Sequence, residues 1–275
     1  MKNIDNNVVN DFGKEWKRFN HLNINKVDLS FSFGQYFNIF PMDELNTNAQ
    51  GFDMGCGSGR WAKFIAPKVG ILNCVEPSKS ALKIAKKNLL NFKNVKFYNA
   101  SVCDDIIKEN SQDFGYCLGV LHHVPDTLSG IKSCAKLLKK DAPFLLYLYY
   151  NFENKSFIFQ NIWKISNILR IVISRMPKKL KFLLCSLIAI FVYWPIARTL
   201  LYIEKMGINV TSAPLNDYRK KPFYFMNNDA LDRFGTRIEK RFSKKQIINM
   251  LEKSDFKDIN FSENTPFWVC IARKA

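Results

Sequence analysis

The residues Asp53-Met54-Gly55-Cys56-Gly57-Ser58-Gly59 close a short apolar run and open a helical pattern. Glycines allow a positive φ and let backbone N–H groups approach a ligand with no Cβ in the way. Glu76 stands 17 residues beyond Gly59, at the end of the next apolar run. A carboxylate there is placed to accept hydrogen bonds from both hydroxyls of a ribose. A dinucleotide turn would space its glycines GxGxxG, whereas here the spacing is GxGxG with an acid two places before the first glycine, so a different nucleoside ligand is expected. The third reactive group is the pair His122 and His123 in LGVLHHVPD; imidazole takes and returns protons near neutral pH. The cysteines at 56, 74, 103, 117, 134, 185 and 270 form no CxxC and no Cys/His ligand spacing, so no metal is expected. The polar opening MKNIDNNVVNDF lacks the apolar run of a signal peptide, which makes a reducing cytoplasm the default expectation.

These groups need a scaffold. Short apolar runs at 51–54, 71–76, 95–98, 113–118 and 144–150 alternate with helical patterns at 60–67, after Pro77-Ser78, and at 128–138, the rhythm of repeated βαβ units. The fifth run carries almost no polar residue, as expected of a strand covered on both faces. A helix is expected from 243 to 252, capped by Ser243, with strands at 258–261 and 267–272 closing the sheet as a hairpin.

At the glycine turn the sequence resembles the class I S-adenosylmethionine-dependent methyltransferases, whose first motif DxGCGxGxxA stands here as DMGCGSGRWA, Asp53 to Ala62. The likeness continues through Glu76, NASVCDD from Asn99 to Asp105, and LGVLHHVPD. It implies an α/β fold: a Rossmann-like, seven-stranded, mostly parallel sheet with helices on both faces and a largely helical insertion after the fifth strand. The domains expected are an N-terminal helical lid region (1–50), a cofactor-binding core (51–150), a helical cap (151–241), and a final helix and hairpin (242–275). The resemblance further implies that Gly55, Cys56, Gly57 and Gly59 wrap the amino-acid part of S-adenosylmethionine, that Asp53 reaches its ammonium, and that Glu76 holds its ribose. Ser101 falls where many members carry an acid for the adenine amino group, a departure from the pattern; Val102 would touch the ring and the Leu118 backbone the methionine portion.

Methyl transfer from a sulfonium is an in-line displacement, so the protein must chiefly position the reactants and exclude water. A hydroxyl acceptor must also lose a proton, which makes His122 or His123 the candidate base, with packing as the alternative. Tyr149 and Tyr150 follow the fifth strand at the end where open sheets bind ligands, and either touch substrate or line the wall. Phe12, Trp16 and Phe19 share a helical stripe that folds over the cofactor as a lid or packs in the core; Trp16 is the substrate-side candidate. Arg237, Glu239 and Arg241 read as solvated or as anion contacts.

Between the fifth strand and Ser243 lie roughly 90 residues, far beyond an ordinary connection. Ile158, Ile162, Ile165, Leu169 and Val172 form an apolar stripe with Lys164 and Arg170 available to the other face. The apolar run 182–197 would span about 24 Å as a helix, short of a bilayer core of about 30 Å, so it is expected either as a buried helix or as a segment lying in anionic headgroups. The chain carries 41 Lys and Arg against 24 Asp and Glu, a formal charge of +17, concentrated after Tyr150.

The reading expected is a methyltransferase acting on a small-molecule, saccharide or lipid-linked (glycan-like) acceptor, with histidine-assisted O-methylation. It would be cytoplasmic and in peripheral contact with the inner face of an anionic membrane. The alternatives are a quinone or prenylated-ring C-methyltransferase, a tRNA or rRNA methyltransferase, and a non-catalytic membrane-associated protein retaining the fold. Nucleic acid is disfavoured because no RNA-binding module, NPPY-type motif or long basic arm is present.

Overall fold

The computed structural model describes residues 3–18, 26–153, 155–211 and 213–275, and divides the chain into two compact units, Met1–Asn151 with Ile238–Ala275, and Phe152–Arg237. In chain order the first unit contains α1 (Asn6–Arg18), α2 (Lys26–Phe37), β1 (Gln50–Met54), α3 (Ala62–Ile65), β2 (Ile71–Val75), α4 (Lys79–Asn88), β3 (Val95–Tyr98), β4 (Phe114–Leu118), α5 (Thr127–Leu137) and β5 (Pro143–Tyr147). The second unit contains α6 (Phe157–Ile173), α7 (Lys178–Ile188), α8 (Trp194–Lys205) and α9 (Phe223–Gly235). The chain then returns to the first unit with α10 (Lys244–Glu252), β6 (Phe256–Phe261) and β7 (Val269–Lys274).

The sheet order is β3-β2-β1-β4-β5-β7-β6, with β1 to β5 parallel and β7 antiparallel between β5 and β6. This is the Rossmann-like, mostly parallel architecture expected. Its central pair is keyed by size. Gly51 pairs with Phe114 and Phe52 with Gly115, and a Cβ on either glycine would overlap the neighbouring ring. One apolar layer gathers Trp61, Ile65, Leu72 and Leu89 against the sheet, and the other gathers Phe52, Ile131, Leu138 and Phe144. Side-chain caps start the flanking helices: Ser78 for α4, Asp126 for α5, and Ser243 for α10, where Gln246 completes a capping box.

Several boundaries differ from expectation. The fifth strand ends at Tyr147 rather than Tyr150, because the Tyr149 N–H donates to the His122 ring and its carbonyl accepts from Phe242 N–H. Residues 238–241 belong to the core unit, not to the insertion: the Ile238 carbonyl bonds His123, and Lys240 N–H donates to the His122 carbonyl. Residues 1–50 are not a separate unit either. Ser80 Oγ donates to the Gly13 carbonyl at 3.0 Å, and Asn3 exchanges side-chain bonds with Asp126 backbone at 2.7 and 2.8 Å.

In the second unit, α6 and α7 each pack on α9. A π-helical turn, Ala189–Tyr193, joins α7 to α8, so the run 182–197 is the middle of one 28-residue helix, Lys178–Lys205. At 1.5 Å per residue that helix is about 42 Å long, so the length argument against a crossing falls away. The stripe on α6 also departs from expectation: Ile162, Ile165, Leu169 and Val172 are exposed and Arg170 is buried. The side chains of Ile158 and Phe19 lie outside the described residues.

Candidate active site

The glycine turn is built by β1 and β2 together. Gly55 N–H and Cys56 N–H both donate to the Val75 carbonyl, at 2.8 and 3.0 Å, which folds the chain back over the strand ends. Gly55, Gly57 and Gly59 have φ of +79°, +54° and +77°, a region costly for any residue with a Cβ. At Gly57 an added Cβ would also lie 2.9 Å from the Trp16 ring. The Cys56 side chain packs in the core, where a hydrogen bond with Cys74, and then burial, push its thiol pKa well up; only its backbone serves the turn.

Glu76 is tied into the same turn. Its Oε2 accepts from Gly57 N–H at 3.1 Å and its Oε1 from Ser78 N–H at 2.8 Å. Burial raises its pKa to about 7, although both backbone donors favour the charged form. Asp53 lies across from Tyr116 in the β1–β4 register and is 2% exposed. Burial raises its pKa to about 8; the Tyr116 hydroxyl opposes that shift and the Glu76 charge adds to it. Two neighbouring buried carboxyls with raised pKa values fit a ligand that brings a cation and paired hydroxyls, as S-adenosylmethionine does.

After β3, Asn99 Nδ2 donates to the carbonyls of Glu76 (3.0 Å) and Pro77 (2.8 Å), locking this loop to the end of β2. Ser101 N–H donates to Asp104 Oδ2 at 2.8 Å, and its buried hydroxyl faces the Asn3 carbonyl. Val102 is buried in the second apolar layer, and Leu118 ends β4 in the first.

The two histidines occupy a single 3₁₀ turn, Leu121–His123, with ring centroids 4.1 Å apart, yet their hydrogen bonds differ. His122 Nδ1 accepts from Tyr149 N–H at 3.3 Å, so in the neutral ring the proton sits on Nε2. Burial first, then the nearby charges of His123 and Arg241, hold its pKa well below the ordinary value. His123 Nδ1 lies 2.6 Å from the Ile238 carbonyl, which can only accept, so in the neutral ring the proton sits on Nδ1.

Of the sequence candidates, the fold brings Trp16 to Gly57 and Phe12 to His123, at 4.9 Å between centroids. It separates the tyrosines. Tyr149 stacks on His122 at 3.7 Å, whereas Tyr150 packs against Phe267 and Trp268 at the hairpin. The solvated reading of Glu239 and Arg241 is corrected: they form a 2.8 Å ion pair with side chains 1% and 12% exposed, and Arg241 lies over the Tyr149 ring and donates to the Tyr150 carbonyl. Three contributors were missed. Arg60 lies over both Trp16 and Trp61, Tyr116 faces Asp53, and Asn3 anchors the N-terminus to the loop before α5. Only Tyr116 carried a signal, as the one polar-tipped side chain in the buried strand FGYCL.

Residues 52–146 match the family described as a methyltransferase domain. The chain is 30% identical over 168 residues to the ubiquinone biosynthesis O-methyltransferase of Vibrio vulnificus, across 58% of this chain and 68% of that protein. Its counterpart from Nitrosomonas europaea is 28% identical over 166 residues, across 57% and 70%. Among solved structures, a Thermotoga maritima protein described as a SAM-dependent methyltransferase, possible histamine N-methyltransferase, superposes with a TM-score of 0.51 at 14% identity, covering 97% of this chain and 99% of that one. At that identity the likeness speaks for the fold alone.

Proposed function

The chain belongs to the class I S-adenosylmethionine-dependent methyltransferases, and on that premise we propose that it methylates a hydroxyl oxygen of a small-molecule acceptor, with His123 as the base. Bound S-adenosylmethionine supplies an electrophilic methyl group on a sulfonium. Gly55, Gly57 and Gly59 would admit it to the backbone, Asp53 would face its ammonium, and Glu76 would hold its ribose hydroxyls. Phe12 and Trp16, from α1, would exclude water from the reacting atoms.

One observation supports the choice of base: the 2.6 Å contact between His123 Nδ1 and the Ile238 carbonyl sets the neutral tautomer with its proton on Nδ1, so that Nε2 would be the nitrogen to take the acceptor's proton as the O–C bond forms and the C–S bond breaks to leave a neutral thioether. His122 is poised the other way and serves to position Tyr149 and the turn. An oxygen acceptor on a small molecule is also what the names of the curated relatives describe.

Two substitutions test the assignment. Asn at 123 can still donate to the Ile238 carbonyl but lacks the second nitrogen. His123→Asn should therefore lower kcat by about 10²–10⁴-fold with cofactor affinity retained. Asn at 122 can still accept from Tyr149 N–H, so His122→Asn should leave kcat within a few-fold. An unchanged kcat in His123→Asn would refute the base. The acceptor is sought by incubating the protein with methyl-labelled cofactor and cell extract, followed by mass spectrometry. Label on a ring carbon or in RNA would refute O-methylation.

A further inference from the structure

The second unit buries polar side chains and exposes apolar ones. Arg170 is 7% exposed and Lys181 5%, and Arg170 donates to the carbonyls of Thr236 and Arg237. Ser166 and Arg233 meet between α6 and α9 at 3.1 Å. By contrast, Ile165 and Ile168 on α6 are each 63% exposed, Leu183 on α7 is 55%, and Phe191 in the π-helical turn is 71%. A helix of a water-soluble unit has the opposite arrangement, and large apolar side chains exposed in this number on one unit point to an interaction site.

We propose that this face docks in the plane of an anionic lipid bilayer, within the leaflet that faces the enzyme. Charge complementarity selects that occupant. From Lys155 to Lys221 there are 12 Lys and Arg and only two acids, Glu204 and Asp217. Glu204 is already engaged by Arg219 and Lys220, at 2.8 and 3.1 Å. Lys164 on α6, Arg175 in the turn after it, Lys178 and Lys179 on α7 and Lys205 on α8 are exposed in the same unit as the apolar residues. Basic side chains beside apolar ones are the signature of a helix lying among anionic headgroups, with lysine stems reaching toward the phosphates. A second copy of this chain would bring the same positive charge against itself.

Chain topology selects an in-plane arrangement over a crossing. The insertion leaves the core after Tyr150 and returns to it at Phe242, and these two ends pair directly: Phe242 N–H donates to the Tyr149 carbonyl at 2.8 Å and Asn151 N–H to the Phe242 carbonyl at 3.1 Å. Both ends of the insertion therefore lie on one side of any membrane, and the number of crossings must be even. Among the described residues, one helix, Lys178–Lys205, has the length and composition to cross. The 17-residue α6, which would have to supply the return, carries exposed Lys164 and the buried, carbonyl-bonded Arg170.

The test is flotation of the full-length protein with phosphatidylcholine vesicles, with and without phosphatidylglycerol. Binding is expected to the anionic vesicles and to fall as salt is raised. Because Ile168 and Phe191 are already exposed, Ile168→Glu with Phe191→Glu should leave the thermal midpoint and its shift by S-adenosylhomocysteine unchanged, while vesicle partitioning drops by about tenfold or more. No flotation with anionic vesicles, or flotation unaffected by the double substitution, overturns the proposal. So does a dimer, seen by light scattering without lipid, that the same substitutions dissociate.

Discussion

Lowering the pH from 8 to 6 should weaken cofactor binding through Glu76 by about tenfold. In the cofactor-free protein this buried carboxyl titrates at about 7, against an ordinary 4.5. On the proposed reading its ionised form, which has acceptors only, is the one that would take both ribose hydroxyls. Its ionised fraction is about 0.9 at pH 8 and about 0.1 at pH 6, so binding at the lower pH has to expel a proton at a cost of about 1.4 kcal/mol. The sign for folding follows from the raised pKa: the contribution of this group to stability is fully present below about 4.5 and is lost as pH rises through 7. The thermal shift given by the cofactor should therefore grow toward pH 8. Calorimetry in two buffers of different ionisation enthalpy reads the proton released on binding, with Glu76→Gln as reference. The variant should bind more weakly at pH 8 and release fewer protons below pH 7. Asp53, raised to about 8 in part by the Glu76 charge, acts in the same direction, and its pKa falls in the variant, so the comparison reads the two carboxyls together. Superimposable pH profiles for the two proteins would refute the reasoning.

Gly57→Ala should reduce cofactor affinity, since φ is +54° there and the new Cβ meets the Trp16 ring; adding Trp16→Ala should recover only the steric part, as read by calorimetry. Gly115→Ala should cost about 1–3 kcal/mol in denaturant unfolding by overpacking against Phe52, and Phe52→Leu in the same chain should recover part of that loss. Arg241→Ala leaves the Glu239 carboxylate, 1% exposed, without its guanidinium, and should cost about 3–5 kcal/mol, much of it regained with Glu239→Gln.

Much of the core was legible because the signals are local. Alternating apolar runs and helical patterns mark βαβ units wherever they fold, and all seven strands fall on or beside the runs read for them. Ser243 caps α10 through a residue three places away, and the glycine turn with Glu76 spans one βαβ unit. The same locality explains what went unread. The stripe Ile162, Ile165, Leu169, Val172 states that α6 is amphipathic, but periodicity is indifferent to which face is turned outward; Arg170 became the inner face only because the carbonyls of Thr236 and Arg237 close on it.

The sequence by itself determined the sheet, the cofactor turn and the presence of two adjacent imidazoles, since each rests on residues near in the chain. The tertiary structure alone decided which backbone group each imidazole meets. That choice depends on a carbonyl 115 residues away at Ile238 and on an amide 27 residues away at Tyr149. It likewise decided that Trp16 covers Gly57 and that Glu239 and Arg241 are buried together. Protonation and burial are set by what surrounds a group in space, and backbone donors and acceptors, which every residue carries alike, leave no mark in a sequence of side chains.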